Sequence, residues 1–154
     1  MNSVPVAIAL GSNLGDRAAH LEYGFDRLQS ILTGFQRSTV RESEPWGVAP
    51  QPAFLNAVAI GATSVPPSDL LATLLRIEAE RGRTRPGPGQ ARTLDLDLIL
   101  YGDRVIDEPG LQVPHPRFRE RPFVLEPLAE IAGEWIDPVT GLSMNHLLTH
   151  VFKA

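Results

Sequence analysis

Apolar residues recur along this chain in two periods, and the alternation between them lays out the elements. Val4–Leu10 is a short apolar run stopped by Gly11-Ser12-Asn13, the pattern of a buried first strand. Asp16 stands where a helix N-cap is wanted. Leu21, Phe25, Leu28 and Leu32 follow at spacings of four, three and four, one face of a helix that Gly34 closes. Ser38–Glu42 predicts a second strand, and Ser43–Ala53, with its three prolines, a loop. Phe54–Thr63 reads as a third strand. Pro66-Pro67 then opens a second helix, with Leu70, Leu71, Leu74, Leu75 and Ile77 on its buried side and an end near Gly82.

Gly82–Gln90 has no periodicity; its glycines, prolines and arginines predict a mobile loop. In Thr93–Tyr101 the alternation is strict, with Leu94, Leu96, Leu98 and Leu100 facing one way. A Gly102-Asp103 turn leads into a short strand around Val105-Ile106. Helical patterns follow at Phe123–Ala132 and Ser143–His150. The order strand, helix, strand, strand, helix, strand predicts an α/β (α+β) domain over residues 1–154. The expected fold is a ferredoxin-like βαββαβ plait, a mostly antiparallel sheet with helices on one face and a C-terminal hairpin and helix appended.

Composition narrows the chemistry. A 154-residue chain buries about 70% of its unfolded surface, enough for a core without staples. The absence of cysteine excludes a thiol nucleophile, Cys-based zinc, iron–sulfur ligation and disulfides. Lys153 is the only lysine, so the body of the chain has no P-loop or Schiff-base lysine. Phosphate must be held by arginine, backbone N–H groups or metal. No apolar run approaches the roughly 20 residues that span a bilayer, and no basic n-region precedes a small-residue cleavage site. A cytoplasmic location without a membrane partner is expected. The net charge of −4 and the lack of an aromatic RNP pattern on the strands argue against nucleic acid.

Asp95 and Asp97 share one face of the last long strand, opposite Leu94, Leu96 and Leu98. Their Cα atoms lie about 6.5–7 Å apart at ~3.3 Å per residue. Two acids that close call for a cation between them, and Mg²⁺ takes one or two carboxylates and fills its other positions with water and phosphate oxygens. Arg81, Arg83, Arg85 and Arg92 flank the pair, guanidiniums suited to phosphate oxygens. Cations for carboxylates and arginines for anions are the needs of a nucleoside triphosphate. A solvated charged face accounts for the same residues equally well. Another two-metal enzyme of nucleotidyltransferase type, or a non-catalytic plait module that binds a ligand, also remains open. His146 and His150, at i and i+4, lack the glutamate of the zinc-hydrolase pattern and read as surface residues.

The run Arg92-Thr93-Leu94-Asp95-Leu96-Asp97-Leu98-Ile99-Leu100-Tyr101-Gly102 resembles the signature of the hydroxymethyl-dihydropterin pyrophosphokinases of folate synthesis. The likeness extends to Gly11-Ser12-Asn13-Leu14-Gly15, Phe54-Leu55-Asn56-Ala57, Arg76-Ile77-Glu78, Val113-Pro114-His115-Pro116 and Arg121-Pro122-Phe123-Val124-Leu125-Glu126-Pro127-Leu128. It implies transfer of a diphosphate from the co-substrate ATP to the hydroxymethyl group of the dihydropterin, on a ferredoxin-like fold, by a monomer. By match to the motifs, Asp95 and Asp97 would bind two Mg²⁺ ions. Arg83 and Arg92 would clamp phosphate oxygens as catalytic groups beside Asp97, which would position or deprotonate the pterin hydroxyl. His115 and Arg121 would hold the triphosphate from the other side; Glu78, Leu98 and Gln112 would lie along the ATP. Phe54 and Phe123 would stack on the pterin, Asn56 would bind its polar edge, and Ser43, Glu44 and Trp46 would complete that pocket. Such transfer asks the protein for alignment and charge neutralisation, so no Ser, Cys or Lys nucleophile is needed.

Overall fold

The structure, a computed structural model, describes residues 3–43, 53–82 and 93–152. Strand β1 (Val4–Ser12) is buried along nearly its whole length because it runs through the middle of the sheet, paired antiparallel with β4 (Phe54–Thr63) on one side and β5 (Asp95–Tyr101) on the other. Its side chains sort by size. Val6, Ile8 and Leu10 point to one core, and the small Ala7 and Ala9 to a second. Helix α1 (Arg17–Ile31) starts where Asp16 Oδ1 accepts the Ala19 N–H at 3.1 Å. It presses Leu21, Phe25 and Leu28 onto the first face, joined there by Leu70, Leu74 and Ile77 of α2 (Pro67–Glu80). A Cβ on Gly24 of α1 would stand 2.9 Å from Leu10 Cδ2, so glycine is what permits this close approach.

The second strand of the plait is broken in two. β2 (Thr33–Arg37) pairs with the far half of β4 and β3 (Arg41–Ser43) with its near half. Ser38, buried at the break, fills the ladder: its N–H donates to Val58 O, and its Oγ accepts the Val58 N–H, both at 2.9 Å. The predicted Ser38–Glu42 strand thus straddles a discontinuity. Gly34, expected to close α1, lies inside β2 with φ of 62° at a register shift.

The sheet order is β2-β4-β1-β5, with β3 beside β4 on the β2 edge, which is the antiparallel plait with two split βαβ crossovers. After β5 come a hairpin of β6 (Ile106–Glu108) and β7 (Leu111–Val113), a 3₁₀ turn at Phe118–Glu120, and helices α3 (Pro122–Ala132) and α4 (Met144–Phe152). Helices were expected on one face only. Instead Val124, Leu125 and Leu128 of α3 and Met144 and Leu147 of α4 cover part of the other, over Ala7, Ala9, Val58 and Ile60. One residue departs from the predicted alternation on β5. The pairing with β1 slips between Ala7 and Ile8, leaving Ile99 as a bulge, so Leu100 joins Ile99 on the second face rather than the other leucines on the first. No described helix is long and apolar enough to cross a membrane.

Candidate active site

Among the described residues, α3 and α4 cover the second face at one end. At the other end β5 turns its acids onto it. Leu94, Leu96 and Leu98 are buried in the first core, which obliges Asp95 and Asp97 to face the opposite way, half-buried. Across the ladder Asp95 stands opposite Gly11 and Gly11 opposite Asn56, while Asp97 stands opposite Ala9 and Ala9 opposite Val58. The row therefore reads carboxylate, no side chain, amide, over two interstrand spacings of roughly 10 Å in all. A Cβ at Gly11 would lie 3.5 Å from both Asn56 Oδ1 and Phe54 Cδ1, so its absence leaves a trough between the amide and the acids.

An open cleft of about 820 Å³ lies along the same edge. Asp95, Asp97, Glu78, Leu98, Gln112 and His115 line it, and the Pro109-Gly110 turn of the β6–β7 hairpin forms its rim. These are the residues the sequence assigned to ATP and metal, apart from Arg121 and those outside the described segments. Leu71 and Leu75 also line the cleft: Leu71 is half-buried and still packs against the first core, whereas Leu75, expected there too, is 38% exposed.

Two carboxyls this close do not both ionise freely. Burial, then the charges of Asp95 and Glu78, push the Asp97 carboxyl up to about 8 against the pull of Arg121. A side-chain hydrogen bond joins Asp97 to Asp95. As a donor set, two neighbouring carboxylates beside an open cleft suit Mg²⁺, whose remaining ligands are water and phosphate. Among the described residues, no group of three or more His, Asp or Glu side chains forms a metal cage.

His115 is placed by its backbone, its N–H donating to Ile99 O at 3.0 Å just after the bulge. Burial, with the Arg121 and Arg117 guanidiniums opposing a smaller pull from Asp95, lowers its imidazole to about 4. The ring is neutral at pH 7, and Nδ1 accepts the Arg117 N–H at 3.2 Å, which leaves the proton on Nε2 as a donor. Arg121, the residue before α3, carries its guanidinium 5.8 Å from the centroid of the half-buried Phe123 ring.

On the far side of the trough, Asn56 Nδ2 donates to Ser43 Oγ at 2.6 Å, and Ser43 pairs with Phe54 across the β3–β4 ladder. Ser43, Phe54 and Asn56 thus come together as the sequence predicted. Glu44, Trp46, Arg83, Arg85 and Arg92 lie outside the described residues. Two residues have roles the sequence did not disclose. Arg17, in the first turn of α1, donates to Ala53 O at 2.7 Å and to Glu42 Oε2 at 2.9 Å, tying together the chain entering β4 and the edge strand β3. Glu78, expected beside the nucleoside, is 2% exposed, and its Oε2 accepts the Leu96 N–H at 2.7 Å. Its signal was legible: it sits on the stripe of Leu70, Leu74 and Ile77, where a charge is out of place.

A family model described as 7,8-dihydro-6-hydroxymethylpterin-pyrophosphokinase (HPPK) matches residues 7–133. The chain belongs to that family. The HPPK relatives include the 2-amino-4-hydroxy-6-hydroxymethyldihydropteridine pyrophosphokinase of Bacillus subtilis, 43% identical over 155 residues that cover 99% of this chain and 92% of that one. The enzyme of the same name from Synechocystis is 40% identical over 147 residues, 94% of this chain and 74% of its own. HPPK sequence also occurs inside longer proteins. The chain spans about a fifth of the Folic acid synthesis protein fol1 of Pneumocystis carinii, at 41% identity over 143 residues (90% of this chain and 19% of that protein). A Plasmodium falciparum HPPK-DHPS crystal structure superposes with a TM-score of 0.76 at 14% identity, covering 97% of this chain and 45% of that one, a likeness of fold. The ferredoxin-like architecture read from element order is thus the HPPK architecture.

Proposed function

We propose that this cleft performs the reaction of its family: transfer of a diphosphate from ATP to the hydroxymethyl group of 6-hydroxymethyl-7,8-dihydropterin, with release of AMP, in folate synthesis. The observation that carries the reading is the row Asp95–Gly11–Asn56. It sets a cation-holding group and a heterocycle-binding amide on one sheet face, with no side chain between them.

Asp95 and Asp97 hold two Mg²⁺ ions, which when bound neutralise the phosphate tail. His115 Nε2–H and the Arg121 guanidinium hold phosphate oxygens from the side opposite Arg83 and Arg92. Leu98 and Gln112 line the path of the nucleoside along the β6–β7 hairpin. Asn56, oriented by Ser43, reads the polar edge of the pterin; Phe54 and Phe123 stack on its faces, and Glu44 and Trp46 close the pocket. Asp97 positions the pterin hydroxyl and accepts its proton. This division asks of the protein only placement and charge, which suffices for phosphoryl-type transfer. The same reading takes residues 1–154 as one domain acting as a cytoplasmic monomer on small molecules, without nucleic acid or membrane.

The test is AMP formation from ATP in the presence and absence of hydroxymethyl-dihydropterin and Mg²⁺. AMP that depends on both is the expected outcome. Pyrophosphate release without pterin would instead support a nucleotidyltransferase, and no turnover a binding module.

A further inference from the structure

The break between β2 and β3 is completed by side chains from two directions. Ser38 reaches across to Val58 of β4, and its Oγ–H donates to Thr39 O at 2.9 Å. The Thr39 N–H goes to α3 instead, donating to both carboxylate oxygens of Glu130 at 3.0 and 3.3 Å. The Thr39 hydroxyl donates to Glu130 Oε1 at 2.9 Å, and Arg41 Nη2 donates to the same oxygen at 3.0 Å. Glu130 lies in the last turn of α3, where the helix dipole disfavours a carboxylate. An exposed ion pair alone holds little. A backbone N–H, a hydroxyl and a guanidinium converging on one carboxylate hold a definite geometry.

From this junction both elements lead toward the acid end of the second face. On β3, Arg41 and Ser43 share the face of their ladder partners Asn56 and Phe54, and Ser43 Oγ accepts from the Asn56 amide. On α3, Phe123 precedes Glu130 by seven residues, two turns along the same side of the helix and about 10.5 Å away. Arg121, at the head of that helix, acts on the charge of Asp97. Strand β3 is three residues long and pairs with β4. Its distance from α3 is therefore set by what bridges the two, and Glu130 is such a bridge.

We propose that Glu130 is a positioning residue for the pterin pocket: by bonding Thr39 and Arg41 it braces the wall that carries Ser43, Phe54 and Asn56 against the helix that carries Phe123, and so sets the gap between the two rings. This rests on the reading of that face as the pterin site.

The experiment measures AMP formation with each substrate varied, amide hydrogen exchange at Thr39 and a thermal melt, for wild type, E130A, E130Q, E22A and N56A. E130A should speed exchange at Thr39 at least tenfold and raise the KM for hydroxymethyl-dihydropterin about fivefold, because a loosened wall must be ordered on binding; the KM for ATP should stay within about twofold. E130Q keeps an acceptor for Thr39 and should raise the pterin KM by about twofold to threefold; it decides by the same comparison if E130A does not fold. E22A breaks the ion pair of Glu22 with Arg37, which ties β2 to α1. It should lower Tm and leave the pterin KM alone. A wild-type pterin KM in folded E130A, an equal rise in the KM for ATP, or unchanged exchange at Thr39 would overturn the inference and leave Glu130 a stabilising contact. If N56A raises the pterin KM while E130A does not, this inference alone falls. If neither raises it, or wild type forms no pterin-dependent AMP, the reading of the pterin site falls with it.

Discussion

The trough at Gly11 supports a prediction that separates folding from function. Gly11 is absent from the glycines with positive φ, so its backbone accepts an L-residue. The Cβ of Gly11→Ala would meet Asn56 Oδ1 and Phe54 Cδ1 at 3.5 Å and Leu55 O at 3.7 Å, ordinary contacts that require nothing to shift. Stability should stay within about 0.5 kcal/mol of wild type, as for substitutions away from special features. The methyl, however, fills the floor between the amide and the carboxylates and lifts whatever lies there by about 1 Å. Misplacement on that scale costs on the order of 10²-fold, or about 2.7 kcal/mol, in kcat/KM.

Steady-state AMP formation with varied pterin, beside a thermal melt, measures both quantities. Gly24→Ala is the matched control. Its Cβ would stand 2.9 Å from Leu10 Cδ2, inside the core and away from the cleft, so Tm should fall while kcat/KM per folded molecule holds. A Gly11→Ala enzyme with wild-type kcat/KM for the pterin would refute the placement of substrate across β1.

Asp97→Asn keeps the shape of the side chain and removes its charge, so kcat should drop by about 10²–10³, with the melt unchanged or raised. Arg17→Met frees Ala53 O and Glu42; the KM for the pterin should rise about fivefold while that for ATP stays put, in the same assay with each substrate varied. Asp137, fully buried, would be raised by burial alone, but hydrogen bonds from Arg119, Val139 N–H and Thr140 Oγ1 hold its carboxyl below the usual aspartate range. Its contribution to stability is therefore complete above the unfolded pKa of about 3.9 and is lost as pH falls through the lower folded value. Arg119→Met should cost about 3 kcal/mol at pH 7, a deficit that shrinks as pH falls below about 4 in denaturant titrations.

What could be read in the sequence was what local period controls. Phe54–Thr63 emerged with its boundaries correct because every second residue answers to one of two cores. The shared face of Asp95 and Asp97 followed from the same rule. The failures are places where a partner elsewhere overrides the period. Ser38 breaks a strand because its hydroxyl substitutes for a backbone group of β4. Leu100 changes faces because β1 forces a bulge next to it. Leu75 looks like core on a helical wheel, but it borders the cleft and is exposed. The β6–β7 pairing was half seen, since Val105-Ile106 marked one strand while Leu111–Val113, too short to alternate, did not mark the other. Arg17 carried no local signal, because both of its partners lie at least 25 residues away.

The extra residue at Ile99 has a consequence for how the catalytic groups stay in step. The strand that bears the two carboxylates also offers, through the Ile99 carbonyl, the anchor for His115. The two acids and the imidazole, which the proposed function gives to metal and phosphate, are thus spaced against each other within a few residues of one strand, rather than through the helices beneath. Repacking α1 or α3 can tilt or loosen the sheet, yet the spacing between those groups travels with β5 as a unit.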